Sequence, residues 1–163
     1  ASADGKPSAR VVLLKDFNAD GFVFYGNMES RKFSELATNP QAALCFYWIA
    51  LNRQVRIEGT VTRVGDAEAD AYFATRGRGK QVGAWASQQS RPMANREAFE
   101  ARIAMFDKQF EGVDVPRPPH WSGWRLAPTA MEFWSNGEFR LHDRELFTRA
   151  NTQSPWVHSL LYP

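Results

Sequence analysis

A chain of 163 residues that is 44% hydrophobic and 13% aromatic can bury one substantial core, so a single folded domain over residues 1–163 is expected. A net charge of +2 is too small for a nucleic-acid binder that works through bulk charge, so any basicity that matters must be local. One cysteine, Cys45, excludes an internal disulfide; no apolar run approaches the ~20 residues of a membrane span and no segment reads as a signal peptide, which together predict a cytoplasmic protein.

The opening is rich in branched apolar residues. "SARVVLLK" (Ser8–Lys15) predicts a strand, "DFNADG" a turn, and "FVFYG" (Phe22–Gly26) the returning strand of a hairpin. Ser30 stands as N-cap to a helix over "RKFSELA", which "TNP" (Thr38–Pro40) stops. "AALCFYWI" (Ala42–Ile49) is apolar at every position, the pattern of a strand buried on both faces. In "RQVRIEGTVTRV" (Arg53–Val64), Val55, Ile57 and Val61 alternate with polar residues, and Gly59 marks a bend or bulge.

The middle of the chain is helical. Asp66 is read as the cap of "AEADAYFATR", and "NREAFEARIAMFDKQF" (Asn95–Phe110) sets Phe99, Ile103 and Phe106 on one face. After the proline-rich "VDVPRPPHW", the last third predicts four strands, "GWRLAP", "AMEFWS", "FRLHDREL" and "WVHSLL". Strands, then helices, then strands around one core suggest an antiparallel barrel with helices outside it.

Several chemistries are absent. There is no GxGxxG; "RGRGKQ" (Arg76–Gln81) lacks a P-loop's first glycine, with Ala74 in its place, and its Ser/Thr; no GxSxG elbow occurs. His120, His142 and His158 have no metal-binding spacing, so no metal is expected. What remains is a set of cationic clusters at element edges: Arg10 with Lys15, Arg31 with Lys32, Arg53 to Arg56, Arg76 to Lys80, and Arg140 to Arg144. Any one is an ordinary solvated edge. Five together suit phosphate, because the guanidinium fork offers paired donors to two oxygens. Tyr72 and Arg76, four apart, share a helix face. As a strand, "RLHDR" would point Arg140, His142 and Arg144 one way and Leu141 and Asp143 the other. Trp85 and Trp134 taken singly read as packed tryptophans.

Nine segments, "PSARVVLLK", "FVFYGNMESRK", "FYW", "RQVRIEG", "DAYFATR", "GAWASQQS", "RPPHWSGWRL", "EFW" and "RLHDR", fall in one order and spacing. In these the chain resembles the pyridoxine (pyridoxamine) 5′-phosphate oxidase family, from about Gly5 almost to the C-terminus. The resemblance implies an FMN-binding split β-barrel, mainly β with flanking helices, built as a homodimer with FMN between the subunits. It implies oxidation of pyridoxamine or pyridoxine 5′-phosphate to pyridoxal 5′-phosphate, with hydride passing from substrate C4′ to flavin N5 and dioxygen reoxidising the flavin to give hydrogen peroxide.

Position by position, the resemblance puts Arg10, Val11, Val12, Leu13, Leu14, Lys15, Tyr25, Gly26, Arg31, Lys32, Gln54, Gln89, Ser90, Trp134 and Arg144 on the flavin. It puts Lys15, Tyr72, Arg76, Lys80, Arg140, Leu141 and His142 at the substrate, with Arg140 and His142 as the catalytic pair over the pyridine ring. Three departures stand out. Lys80 replaces a usual serine, "LLYP" (Leu160–Pro163) replaces "RLAP", and the family carries an N-terminal segment ahead of this start. Competing readings are a related flavin oxidase of phenazine-type biosynthesis, a non-catalytic FMN- or pyridoxal-phosphate-binding module, and an unrelated phosphate-binding barrel.

Overall fold

The computed structural model describes residues 1–163. Its centre is β5 (Trp121–Ser135), a 15-residue strand against which the rest of the sheet is built. Along one edge, residues 124–135 of β5 pair with the whole of β4 (Arg53–Arg63). Its other edge is divided. Residues 121–126 pair with β2 (Gly21–Asn27), and residues 130–135 pair with β6 (Asp143–Thr148). β1 (Asp16–Asn18) flanks β2, β3 (Gln41–Trp48) flanks β4, and β7 (Val157–Leu160) flanks β6, every pairing being antiparallel. No ladder joins β1 to β3, so within one chain the sheet stays open.

The predicted irregularity at Gly59 is present, as a register shift between Glu58 and Gly59 opposite Pro128. Pro128 has no N–H to give the ladder. The strands approach so closely there that a Cβ on Gly59 would lie 2.0 Å from the Ala127 carbonyl oxygen. Inward residues of β4 (Val55, Ile57, Val61) meet Phe24, Trp124 and Leu126, and α1 (Arg31–Thr38) closes this core with Phe33 and Leu36. A second core joins α2 (Asp66–Ala74), α3 (Arg78–Ala86) and α4 (Arg96–Gln109) to the start of β5 through Phe73, Val82, Phe110, Val115 and Trp121. Trp85 packs here as predicted, its indole N–H donating to the Pro116 carbonyl at 2.7 Å. Asn95 caps α4, accepting from the Ala98 N–H.

Five expectations change. Ser8–Lys15 is not a strand: it runs beside the open edge of β3 without a ladder, and only its Lys15 N–H reaches β2, at the Val23 carbonyl. The hairpin is therefore shifted, with Ala19–Asp20 as its turn. β3 is an edge strand exposed on alternate residues rather than buried on both faces, since one chain covers one face only. Gly65 is the cap of α2 and Asp66 its first residue. "GWRLAP" and "AMEFWS" form one strand, because a bulge with Thr129 as the extra residue of β5 carries the chain past Pro128 and the ladder resumes at Ala130. Finally, β6 begins at Asp143. Glu138–Arg140 form a 3₁₀ turn in which Phe139 and Arg140 take φ of 54° and 66°, so Arg140, His142 and Arg144 do not share one strand face.

Candidate active site

β2 and β5 form the floor of a cleft of about 670 Å³, within the range of small-molecule sites. Tyr25 from β2, Trp121 from β5 and Tyr72 from α2 form an aromatic stack, with centroids 4.1 Å (Tyr25–Tyr72) and 5.3 Å (Tyr25–Trp121) apart and planes within about 20°. Burial, then the Glu68 carboxylate that accepts from its hydroxyl, pushes the Tyr25 phenol up to about 12, so it remains a neutral donor. Gly26 keeps the floor flat beside the stack; a Cβ there would come within 2.9 Å of the Phe33 ring and 3.2 Å of Lys32 Nζ.

One wall is cationic. Arg76 follows α2 and lies over Trp121, its guanidinium carbon 4.7 Å from the ring centroid. Its Nη1 is buried and has no hydrogen-bond partner. Burial lowers its pKa, yet a guanidinium stays charged at any ordinary pH. A buried donor left unpaired costs about 1–3 kcal/mol, more when charged, so this position is built for an acceptor that the chain does not supply. Gly77, the cap of α3, and Lys80 on its first turn line the same cleft. Together these groups can bind a phosphate or another small anion.

The opposite end carries Lys32, which donates to Ser30 Oγ and Gln89 Oε1. Burial, then repulsion from Arg10, lowers its pKa. Glu35 gathers the neighbouring cations: Arg31 Nε donates to it at 2.8 Å, Arg10 reaches its other oxygen at 3.5 Å, and Ser8 also donates. Those bonds, Ser8 first and Arg31 next, hold the Glu35 carboxyl at about 2. Val11, Val12, Leu13 and Lys15 form the remaining rim, while Leu14 faces a smaller apolar pocket toward β3. Ser90, with φ of 71°, turns away beside Gln89.

The other predicted residues lie elsewhere. Gln54, Trp134 and Arg144 stand opposite one another on β4, β5 and β6, forming a single row across the sheet. The His142 ring lies 4.7 Å from that of Trp134. His142 Nδ1 accepts from the Gly137 N–H at 3.2 Å, which leaves the ring proton on Nε2. Gly137 is required by the tight turn, since a Cβ there would meet the Leu141 carbonyl oxygen at 1.9 Å. Arg140 makes no hydrogen bond and Leu141 is exposed. From Gly123, which pairs with Tyr25, to Trp134 runs roughly 35 Å of strand. None of Gln54, Trp134, Arg140, His142 or Arg144 lines the cleft.

Sequence reasoning missed Trp121 and Asn27 as parts of the cleft. Asn27 ties the cleft floor to the Ser87 carbonyl, and its position opposite Trp121 is a register fact with no local signal. It also missed Glu132, a buried acid at an alternating strand position where a polar residue reads as outward-facing.

Two family models match the chain: "Pyridoxamine 5′-phosphate oxidase" over residues 1–110 and "Pyridoxine 5′-phosphate oxidase C-terminal dimerisation region" over residues 121–163. The chain belongs to the pyridoxine/pyridoxamine 5′-phosphate oxidase family of oxidoreductases. A family member from Myxococcus xanthus is 61% identical over 160 residues, covering 98% of this chain and 77% of that protein. One from Sphingopyxis alaskensis is 57% identical over 163 residues, covering all of this chain and 74% of the relative. Both are called pyridoxine/pyridoxamine 5′-phosphate oxidase.

Among solved structures, PhzG from Burkholderia lata in complex with tetrahydrophenazine-1-carboxylic acid superposes with a TM-score of 0.93 at 32% identity, over all of this chain and 79% of that one. A pyridoxamine 5′-phosphate oxidase-related, FMN-binding protein from Nostoc punctiforme matches at 0.79 and 18% identity, covering 99% of this chain and 84% of its own, and supports the split-barrel fold alone. The row of Gln54, Trp134 and Arg144 draws two of its three members from the region described for dimerisation. No helix is long and apolar enough to cross a membrane.

Proposed function

We propose that the chain is an FMN-dependent oxidase of pyridoxamine or pyridoxine 5′-phosphate that works as a homodimer. The observation that carries this reading is the buried, unpartnered Arg76 Nη1 in a cleft shared with Tyr72 and Lys80. A substrate phosphate would supply the missing acceptor and gain charge-assisted bonds. The residues present also fit FMN. Arg10 and Arg31 share a single carboxylate and Lys32 has none, a surplus of positive charge that suits the 5′-phosphate, with Gln89 and Ser90 adjacent. The flat floor at Gly26 leaves room for a ring along the Val11–Lys15 rim. When bound, FMN supplies the two-electron chemistry, accepting hydride from substrate C4′ and being reoxidised by dioxygen to give hydrogen peroxide.

The second half of the site belongs, on this reading, to a partner copy. Gln54, Trp134 and Arg144 would complete the flavin pocket from across the interface, and Arg140, Leu141 and His142 would cover the substrate. With Nδ1 already accepting from Gly137, His142 offers Nε2–H as a donor to the ring substituents, orienting the substrate instead of abstracting a proton. Arg140, free of protein partners, is available to the same ligand. Positioning of this kind is what the protein contributes once the cofactor carries the redox step.

The fold likeness to PhzG keeps a phenazine-type oxidase as a second reading, since a fold hosts several substrates. Anaerobic titration separates the two. Pyridoxamine 5′-phosphate should bleach the bound flavin, and readmitted oxygen should return the colour with stoichiometric peroxide. A flavin bleached only by a dihydrophenazine carboxylic acid would select the second reading, and a fully loaded flavin bleached by neither would remove both.

A further inference from the structure

Behind the row of Gln54, Trp134 and Arg144 lies a second row on the same sheet face, because cross-strand partners share a face and the side-chain period is two. It consists of Arg56, Glu132 and Leu146. Glu132 is the buried one, its side chain 8% exposed. Its two carboxylate oxygens are divided between neighbouring strands: Oε1 accepts from Arg144 Nε at 2.9 Å, and Oε2 accepts from Arg56 Nη1 at 3.0 Å. Arg144 is gripped at a second point, donating from Nη1 to the Tyr162 carbonyl at 3.0 Å, while its own carbonyl accepts from the Leu161 N–H. Those bonds fix the plane of the guanidinium and leave Nη2 without a protein partner.

We propose that Glu132 is a positioning residue for the cofactor: it holds Arg144 across the Trp134 row so that the open edge of the guanidinium meets the flavin. The inference rests on the FMN reading above. The physical reason is entropic as much as electrostatic. An unrestrained arginine loses several rotors when it binds, whereas one already pinned at Nε and Nη1 loses few, and preorganisation of this kind appears as affinity. Glu132 itself reaches no ligand on this view, because Arg144 stands between its row and the cofactor.

The experiment is a double-mutant cycle read by FMN affinity, measured from flavin fluorescence quenching on titrating FMN into apoprotein. Glu132→Gln preserves shape but removes the charge that holds two donors at once; it should weaken FMN binding about tenfold, a coupling within the range for residues in direct contact. In an Arg144→Ala background, the same change should move the affinity less than about twofold. Arg56→Met, which removes the other guanidinium from Glu132, should also leave FMN affinity within about twofold. Equal losses from Glu132→Gln in both backgrounds would show a merely structural residue, and tighter FMN binding by Glu132→Gln would show a charge that opposes the ligand; either overturns the inference.

Should Glu132→Gln fail to fold, the wild type still decides. Its Arg144 Nε–H should give a slowly exchanging NMR signal in the apoprotein, and a freely exchanging one would overturn the proposal. A wild type with no affinity for FMN would sink the cofactor reading and this inference together, whereas a flat cycle in a flavin-binding wild type would sink this inference alone.

Discussion

Arg76 occupies a position that would be costly without a ligand: a guanidinium nitrogen buried beside an indole, with no acceptor in reach. Lys80, exposed on the first turn of α3, adds a second cation to the same cleft. Because it remains in water, its contribution to holding a phosphate is about 1 kcal/mol, or about fivefold. Phosphate is held alike before and during hydride transfer, so Lys80→Ser should raise KM for phosphorylated substrate several-fold and leave kcat nearly unchanged. Steady-state kinetics at two ionic strengths check this, and identical constants and salt slopes would place Lys80 in solvent only. Arg140 and Arg144 are separated by their surroundings: the first has no protein partner, while the second is fixed by Glu132 and the C-terminal segment. Arg140→Ala should therefore depress turnover with FMN retained, whereas Arg144→Ala should lose FMN first. Flavin content after gel filtration, read beside turnover, tells the two apart.

At the scale of elements, the long β5 depends on Gly59 for its continuity. A methyl group at that position would collide with backbone atoms of Ala127 and Pro128, which cannot move without opening the ladder. Gly59→Ala should cost about 2–3 kcal/mol or more, visible as a lowered denaturation midpoint with no change in m-value. The N-terminal segment depends instead on side chains, through the bonds from Ser8 and Arg10 to Glu35, a carboxylate that Arg31 also holds from within α1. The carboxyl lies at about 2 in the folded chain against an ordinary 4.5, so this anchoring is full above pH 4.5 and is lost as pH falls toward 2. Methyl NMR signals of Val12 and Leu14 should move to exposed positions across that window. In Glu35→Gln they should already be released at pH 7, and a segment equally ordered at pH 7 and pH 2 would refute the anchor.

For the whole molecule, the separation of the two groups of candidate residues along β5 is the dominant fact. The cationic cleft lies at the Trp121 end and the Trp134 row at the other, with exposed Val11, Leu13, Tyr47, Trp48 and Ile49 providing apolar surface. The proposed sharing of one site between two copies can be tested by complementation. Arg76→Ala and Arg140→Ala proteins should each be nearly inactive, yet unfolding and refolding them together should restore roughly a quarter of wild-type activity, because half of the randomly formed dimers carry one intact site. A mixture as inactive as its parents would mean that each chain builds its site alone. Sedimentation of the flavin-loaded protein as a monomer near 18.5 kDa would contradict the dimer directly.

By itself the sequence determined what depends on neighbours along the chain. β2, α1, β4 and α4 follow from residue periodicity and stop signals, and the Ser30 cap and Gly59 bulge from single residues whose backbone preferences are strong. The residues of the candidate site were legible as cations and aromatics at element edges, although their roles came from resemblance. Tertiary structure decided what depends on partners distant in sequence. Ser8–Lys15 has strand composition but joins no ladder, lying against the β3 side of the sheet through side chains, so composition alone misleads there. Arg140 leaves the strand because Gly137 folds the chain back on Leu141, and a two-residue alternation cannot anticipate a turn with two positive φ angles. Glu132 reads as a surface acid until register sets it between arginines of two other strands, and Arg76 reads as a surface cation until α2 lays it on Trp121. In both cases the charge is encoded locally, but its desolvation arises only when separate segments close around it.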